Sequence, residues 1–508
     1  MKKIGRLGLY HNRFVFKLLQ YPTILSRGRS FRQSAERFYE MRKGPKSAFR
    51  RFLAGAWRVH KAQPRHASLR TLAFPIKFVV GFPRANFEYH TSASLPLRLG
   101  EARVGRLARH TIWKCSSENG RSMRILVSGL IGQYAFGGVT WDYLQYVLGF
   151  RALGHDVWYL EDSANWAYDP VKQEPSADCS HNVSYLDRIM REFDMGDRWI
   201  YRNEPDGKYH GITDERLAEK TIAEADVLAN VSGACWLRPV TAGIKTKLFL
   251  DGDPMFTHIK LTRGDREYLD RVRAHQKHFT FGLNVGKPGC KIPATGLRWR
   301  PTVQPIALEW WERALMPPNT CHSADGAWTT VMNWASYKPE EFEGESYGQK
   351  DVEFMHFTEL PSRTREKFVL AMGQGPGKNR PTTYLESLGW KIIEPDTHLP
   401  DYASYHDFLS NSKAEWSIAK NGYVKSRSGW FSCRSACYLA AGKPVVVQDT
   451  GWSDHLPSGD GALCFSTLAE AIDAIEAVAR DYTHHCAAAR AYARTYFDAA
   501  KVCAELLE

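Results

Sequence analysis

A chain of 508 residues exceeds one ordinary core and calls for two or three domains, and with 44% apolar and 13% aromatic residues most of it can fold. The net charge of +13 reads as a nucleic-acid signal only until it is divided. Residues 1–122 hold 26 of the 68 basic residues with five glutamates and no aspartate, a balance of +21, whereas the rest stands at −8. That split, ten cysteines without a CxxC pair or zinc spacing, and no run near the ~18 apolar residues of a membrane span count against nucleic-acid binding, a metal centre and a transmembrane segment. A reduced, cytoplasmic setting is the expectation.

Residues 1–122 are arginine-rich and sustain neither a helical nor a strand period, so they read as a basic, disordered extension without an assigned fold. An organelle-targeting segment comes next, and nucleic-acid or anionic-membrane binding third. From Met123 the pattern changes. Ile125–Val127 is a buried strand, Gly129–Gly138 a glycine-rich loop, Val139–Leu153 an amphipathic helix and Val157–Leu160 a second strand. This is a β-α-β unit with Gly137 and Gly138 at the helix start, a candidate acceptor or phosphate loop. GLIGQYAFGG is not a dinucleotide fingerprint, because G-x-G-x-x-G is absent at that place.

Further strands are expected at 225–231 and 247–250. Parallel strands present ligand groups at their carboxyl ends, so the loop Asp251-Gly252-Asp253-Pro254 puts two carboxylates there, although the same residues also make an ordinary turn. His258, His275 and His278 show no ligand spacing. Prolines 301, 305, 317 and 318 mark a crossing, giving a first lobe over 123–303, a linker over 304–327, a second lobe over 328–486 and a final helical segment over 487–508. The second lobe opens with a strand at Thr329–Asn333. Helical segments follow around 363–372 and 405–410, with a strand at 390–393 between them and helices at 468–478 and 487–496 after the loop described next.

The densest stretch is Glu415–Gly451, which reads as loop, helix, tight turn, strand and loop. Ser428 is taken as the helix N-cap, with Cys433, Ala436, Cys437, Ala440 and Ala441 on one small-residue face. Gly442 and Pro444 end that helix, and Val445–Val447 forms a buried strand before Gln448-Asp449-Thr450-Gly451. Phosphate is favoured at a helix N-terminus, here near Ser428 and Gly429, with Lys420, Lys425, Arg427 and Arg434 around it. The bland alternative is a buried helix–strand pair with a basic rim.

YLAAGKPVVVQDTG resembles the donor-binding helix and strand of GT-B glycosyltransferases, and the glycine loop with the "LGH-V" turn near 153–157 resembles the opening of their first lobe. The resemblance covers about residues 123–508. It implies two Rossmann-like α/β lobes of GT-B type with a cleft between them and a last helix that can return to the first lobe. It also implies glycosyl transfer from a nucleotide-sugar donor to the hydroxyl of an acceptor (glycan, lipid or small molecule), with no metal and no cofactor. On that reading Arg427 and Lys420 stabilise the leaving diphosphate and Asp253 is the candidate base. Glu415, Ser428, Gly429, Arg434, Gln448, Asp449, Thr450 and Gly451 bind the donor. The family's pair of glutamates is replaced by Gly429 and Cys437, which leaves the stereochemistry open. Sugar-nucleotide epimerases and phosphorylase-like enzymes share the two-lobe design, and a non-catalytic nucleotide- or glycan-binding module keeps its cleft.

Overall fold

In the computed structural model the described residues are 121–508, apart from 171, 313–325 and 376–378. The expectation for residues 1–120 and that for most of the linker fall outside them. Two sheets organise the described chain. The first contains β1 (Arg124–Ser128), β2 (Asp156–Glu161), β3 (Trp199–Arg202), β4 (Tyr209–Gly211), β5 (Val227–Val231), β6 (Thr246–Asp251), β7 (Lys277–Thr280) and β8 (Trp299–Pro301), in the order β8-β7-β6-β5-β1-β2-β3-β4. All its neighbours are parallel except β3 and β4. The second contains β9 (Trp328–Asn333), β10 (Phe368–Gly373), β11 (Trp390–Ile393), β12 (Ala414–Ser417), β13 (Val445–Gln448) and β14 (Ala462–Phe465), wholly parallel in the order β11-β10-β9-β12-β13-β14.

Six strands of each sheet follow the doubly wound order 3-2-1-4-5-6, and the order reverses between β1 and β5 and again between β9 and β12. Ligands bind such sheets beyond the carboxyl ends of the strands at these reversals. The strands are short apolar runs because helices cover both faces, as parallel sheets require. Behind the second sheet Trp416 stacks with Phe465 at 5.9 Å and meets Trp390 at 5.1 Å between ring centroids, sealing a core that also holds Phe354, Phe357 and Phe368.

Eight helices matter below: α1 (Gly137–Ala152), α2 (Pro254–Thr262), α3 (Tyr402–Ser410), α4 (Asn421–Lys425), α5 (Cys433–Ala440), α6 (Leu468–Arg480), α7 (Tyr482–Tyr496) and α8 (Ala499–Leu507). Gly149 of α1 lies so close to α8 that an added Cβ would sit 2.6 Å from Cys503 Sγ, and Ile306 exchanges backbone hydrogen bonds with Phe497 and Ala499 at 2.6 and 3.0 Å. The chain's end is thereby fastened to the first lobe, and α6 with α7 flanks the second sheet.

Three local expectations are corrected. The helix expected around 363–372 is β10, because Phe368-Val369-Leu370-Ala371-Met372 lies buried between β9 and β11, and burial on both faces overrides the helical preference of Leu, Ala and Met. The loop expected from Glu415 is β12, all four of whose residues are buried. The helix expected from Ser428 begins at Cys433, with Ser432 at its N-cap.

Candidate functional site

Asp253 follows β6 and precedes α2, where Pro254 occupies the first helical position. Its carboxylate does not cap that helix; it meets groups of the second lobe. Lys420 Nζ donates to Oδ1 at 2.9 Å, Tyr337 Oη to Oδ2 at 2.5 Å, and the Tyr423 hydroxyl also donates to Oδ1. The Lys420 ammonium lies 5.1, 4.6 and 5.2 Å from the ring centroids of Phe256, Tyr337 and Tyr423, an aromatic cage that favours a cation. Burial opposes ionisation of Asp253, but Lys420 and the two phenols outweigh it and hold the carboxyl below its usual range. Lys420 and Asp253, 167 positions apart in sequence, thus share one site.

Arg434 is the second residue of α5. Its Nε donates to Glu415 Oε1 at 2.6 Å, Nη1 to the Val331 carbonyl at 2.7 Å and Nη2 to Ser417 Oγ at 2.5 Å. A guanidinium has five N–H donors, so two have no hydrogen-bond partner among the described residues. Glu415 is completely buried on β12, and its Oε2 has no partner among the described residues. Burial disfavours the Arg434 charge, yet Glu415 and then the Tyr405 phenol raise its pKa above the ordinary value.

Beside this pair stands Lys350, the first residue of the short helix Lys350–Phe354. Its ammonium has no hydrogen-bond or ion-pair partner among the described residues. Burial, then Arg434 and Lys420, push its pKa well below the ordinary lysine value, and Glu415 opposes them. Lys350, Tyr337 and Tyr423 were missed in the sequence, where they belong to no motif; only the order of the strands collects them.

Gln448 ends β13. Its side chain accepts from Ala419 N at 3.1 Å and donates to Glu353 Oε2 at 2.5 Å, while Asn421 Nδ2 donates to Glu353 Oε1 at 2.7 Å. Together with Ser417, Ser432, Ser435 and Trp452 it lines a cavity at the carboxyl ends of β12 and β13, beside the start of α5. Asp449 braces the next turn, accepting from Gly451 N at 2.8 Å and from Ser453 Oγ at 3.0 Å, and Thr450 Oγ1 donates to the Trp430 carbonyl at 2.7 Å.

The remaining expected residues lie elsewhere. Ser428 is buried four residues before the N-cap, and its carbonyl accepts from Asn284 N at 3.1 Å. Gly429 has φ 77° and the first lobe's backbone approaches it closely: an added Cβ would lie 2.8 Å from Asn284 N. Gly451, at φ 86°, leaves room for the Asn284 amide, which donates to its carbonyl at 3.1 Å. Arg427, also at positive φ, is half exposed and pairs with Asp454 at 2.9 Å. Gly137 and Gly138 give close approach to α3, since added Cβ atoms would meet the Asp401 carbonyl at 2.3 Å and the Tyr405 ring at 3.3 Å. Gly429→Ala, which combines positive φ with a backbone clash, is expected to cost about 1–3 kcal/mol. Urea unfolding checks it, and a loss below about 0.5 kcal/mol would remove the close approach from the account.

No protein-family profile and no curated protein matches the chain. Among solved structures it is similar to Anabaena Alr3699/HepE in complex with UDP-glucose, at 10% identity over 76% of this chain and 98% of that one, with a TM-score of 0.45. It is likewise similar to a glycosyltransferase from Rickettsia africae (12% identity, 76% and 97% covered, TM-score 0.41) and to an alpha-glucosyltransferase in complex with UDP (12%, 76% and 99%, TM-score 0.45). Two sheets of doubly wound order, parallel but for one edge pair, with polar groups gathered at their carboxyl ends and the last helix returned to the first sheet, are the two Rossmann-like α/β lobes that the resemblance implies.

Proposed function

We propose that the chain transfers a glycosyl group from a nucleotide-sugar donor to an acceptor hydroxyl. The observation that carries this reading is Lys350, whose amine has no partner among the described residues and which is held beside Arg434 and Lys420. Lys420 and Arg434 are each paired with a carboxylate, and their remaining charge disfavours the Lys350 ammonium until a multiply charged anion arrives where a doubly wound sheet binds its ligand; a sugar nucleotide's diphosphate is such an anion. When the glycosyl bond breaks, negative charge grows on the departing diphosphate, and fixed cations stabilise it there without a divalent ion. Arg434 supplies two free N–H groups, Lys350 and Lys420 supply ammonium charge, and Gln448 with the 449–451 turn forms the wall of the donor cavity. The −8 balance beyond residue 122 disfavours a polyanionic acceptor such as nucleic acid. Cysteines outside any paired pattern fit a cytoplasmic enzyme.

The test is a thermal-shift and calorimetric screen of UDP, GDP, ADP and their sugars against the full chain and Lys420→Met. A ligand at 100 times its Kd adds about 2.7 kcal/mol of stability. At least one diphosphate is expected to stabilise the wild type, and its affinity is expected to fall about 10-fold or more in the variant, because a charge-assisted bond contributes about 1.5–3 kcal/mol. A wild-type protein indifferent to every diphosphate would overturn the reading.

A further inference from the structure

Asp253, held by an ammonium and two phenols, is a weak base, so the proton of an acceptor hydroxyl needs another destination. A second carboxyl meets the site from the first lobe. Asp142, in the second turn of α1, is exposed, whereas its neighbours Trp141 and Tyr143 are buried. The Cys433 thiol, at the first residue of α5, hydrogen-bonds its carboxylate, and Arg434 of the same helix is the nearest opposing charge. Tyr405 of α3 and Tyr143 and Tyr146 of its own helix complete the titratable groups around it. Cys433 follows Ser432, which lines the donor cavity together with Ser435. Asp142 therefore meets, from the opposite lobe, the residue that follows a cavity-lining serine, and it is open to solvent.

We propose that Asp142 accepts the proton of the attacking hydroxyl. This inference rests on the glycosyl-transfer reading of the same site. In the step, the acceptor oxygen forms a bond to the anomeric carbon, and the bond from that carbon to the diphosphate oxygen breaks. The electron pair of that bond leaves on the diphosphate, where Lys350, Lys420 and Arg434 meet it, and the hydroxyl proton passes to Asp142. Attack opposite the leaving group inverts the anomeric configuration.

The electrostatics suit the role. Protein packed around one side of the Asp142 carboxyl raises it to about 6, against the opposing pull of the Cys433 hydrogen bond and the Arg434 charge. A base in that range is ionised at neutral pH and still holds a proton well. Because the side chain remains exposed, the shift comes with access for an acceptor.

The test uses the full chain and Asp142→Asn, with water as the acceptor. Hydrolysis of UDP-glucose, GDP-mannose and ADP-glucose is followed from pH 4.5 to 9, alongside calorimetry with the matching diphosphates. In the wild type, kcat is expected to rise with unit slope through pH about 6 and then level, with an inverted sugar as the first product. Asp142→Asn is expected to lower kcat about 10²- to 10⁴-fold, to abolish the limb near pH 6, and to keep diphosphate affinity within about twofold. Its melting temperature should not fall, since the native state disfavours the ionised carboxyl. An unchanged limb in the variant, a retained anomer, or diphosphate affinity lost in step with kcat would overturn the role of Asp142 while leaving the donor reading standing. A wild type that binds no diphosphate would overturn the donor reading, and with it this one.

Discussion

Arg434→Ala is expected to remove about 3–5 kcal/mol of stability together with donor binding. Glu415 sits in the middle of a fully buried strand, and Arg434 supplies its only ion pair among the described residues; without it a carboxylate is left uncompensated in the core. Against total stabilities of about 5–15 kcal/mol such a loss is large enough to show as partial unfolding near 37 °C. The pair need not stabilise the protein relative to an apolar one. Arg434→Met with Glu415→Leu should therefore recover most of the loss, because it removes both charges and keeps the volume. It should not recover diphosphate binding. Urea unfolding and calorimetry of the single and double variants separate the two effects. A single variant that loses less than about 1 kcal/mol would mean that Glu415 does not depend on Arg434, and a double variant that binds diphosphate normally would remove Arg434 from the site.

The same pair explains what could and could not be read in the sequence. The helix–turn–strand signature at Gly442, Pro444 and Val445–Val447 is local chemistry, and it appears where expected. The strand Ala414–Ser417 was hidden because a central glutamate contradicts strand preference, and only Arg434, nineteen positions later, makes it tolerable. The start of α5 was displaced for a similar reason. Ser428 and Gly429 have the composition of a helix start, but the Ser428 carbonyl is taken up by Asn284 of the first lobe and the Gly429 N–H by the Thr450 carbonyl, and the capping role passes to Ser432.

The cluster around Asp253 was legible in half. Its position at the carboxyl end of a parallel strand followed from pattern, and so did the placement of Lys420 in the second lobe. Their meeting depends on how the lobes pack, which periodicity does not encode. Lys350 and Asp142 carried no signal at all. One begins a five-residue helix and the other lies on a helix most of whose residues are buried, and each acquires its chemistry only from charges brought beside it by the fold.

Lys350→Met is expected to stabilise the ligand-free protein while weakening donor binding about 10- to 150-fold. The sign follows from the depressed pKa. The unfolded chain holds the Lys350 proton up to the ordinary lysine range, whereas the native state releases it at lower pH because burial, Arg434 and Lys420 all disfavour the charge. Protons are then bound more by the unfolded state across that window, so native stability rises with pH within it and is lost as pH falls through the native pKa. Methionine fills the same space without charge and escapes the cost, so the melting temperature of Lys350→Met should exceed that of the wild type at neutral pH. A diphosphate reverses the balance. It favours the ammonium, raises the pKa and draws in a proton, so wild-type affinity should weaken as pH climbs through the window. Titrations in two buffers of different ionisation enthalpy count the protons taken up. Uptake is expected in the wild type and should vanish in Lys350→Met, whose affinity loss matches one charge-assisted bond of about 1.5–3 kcal/mol. Equal affinity in the two proteins, or no uptake in the wild type, would show that the unpartnered ammonium does not face the donor.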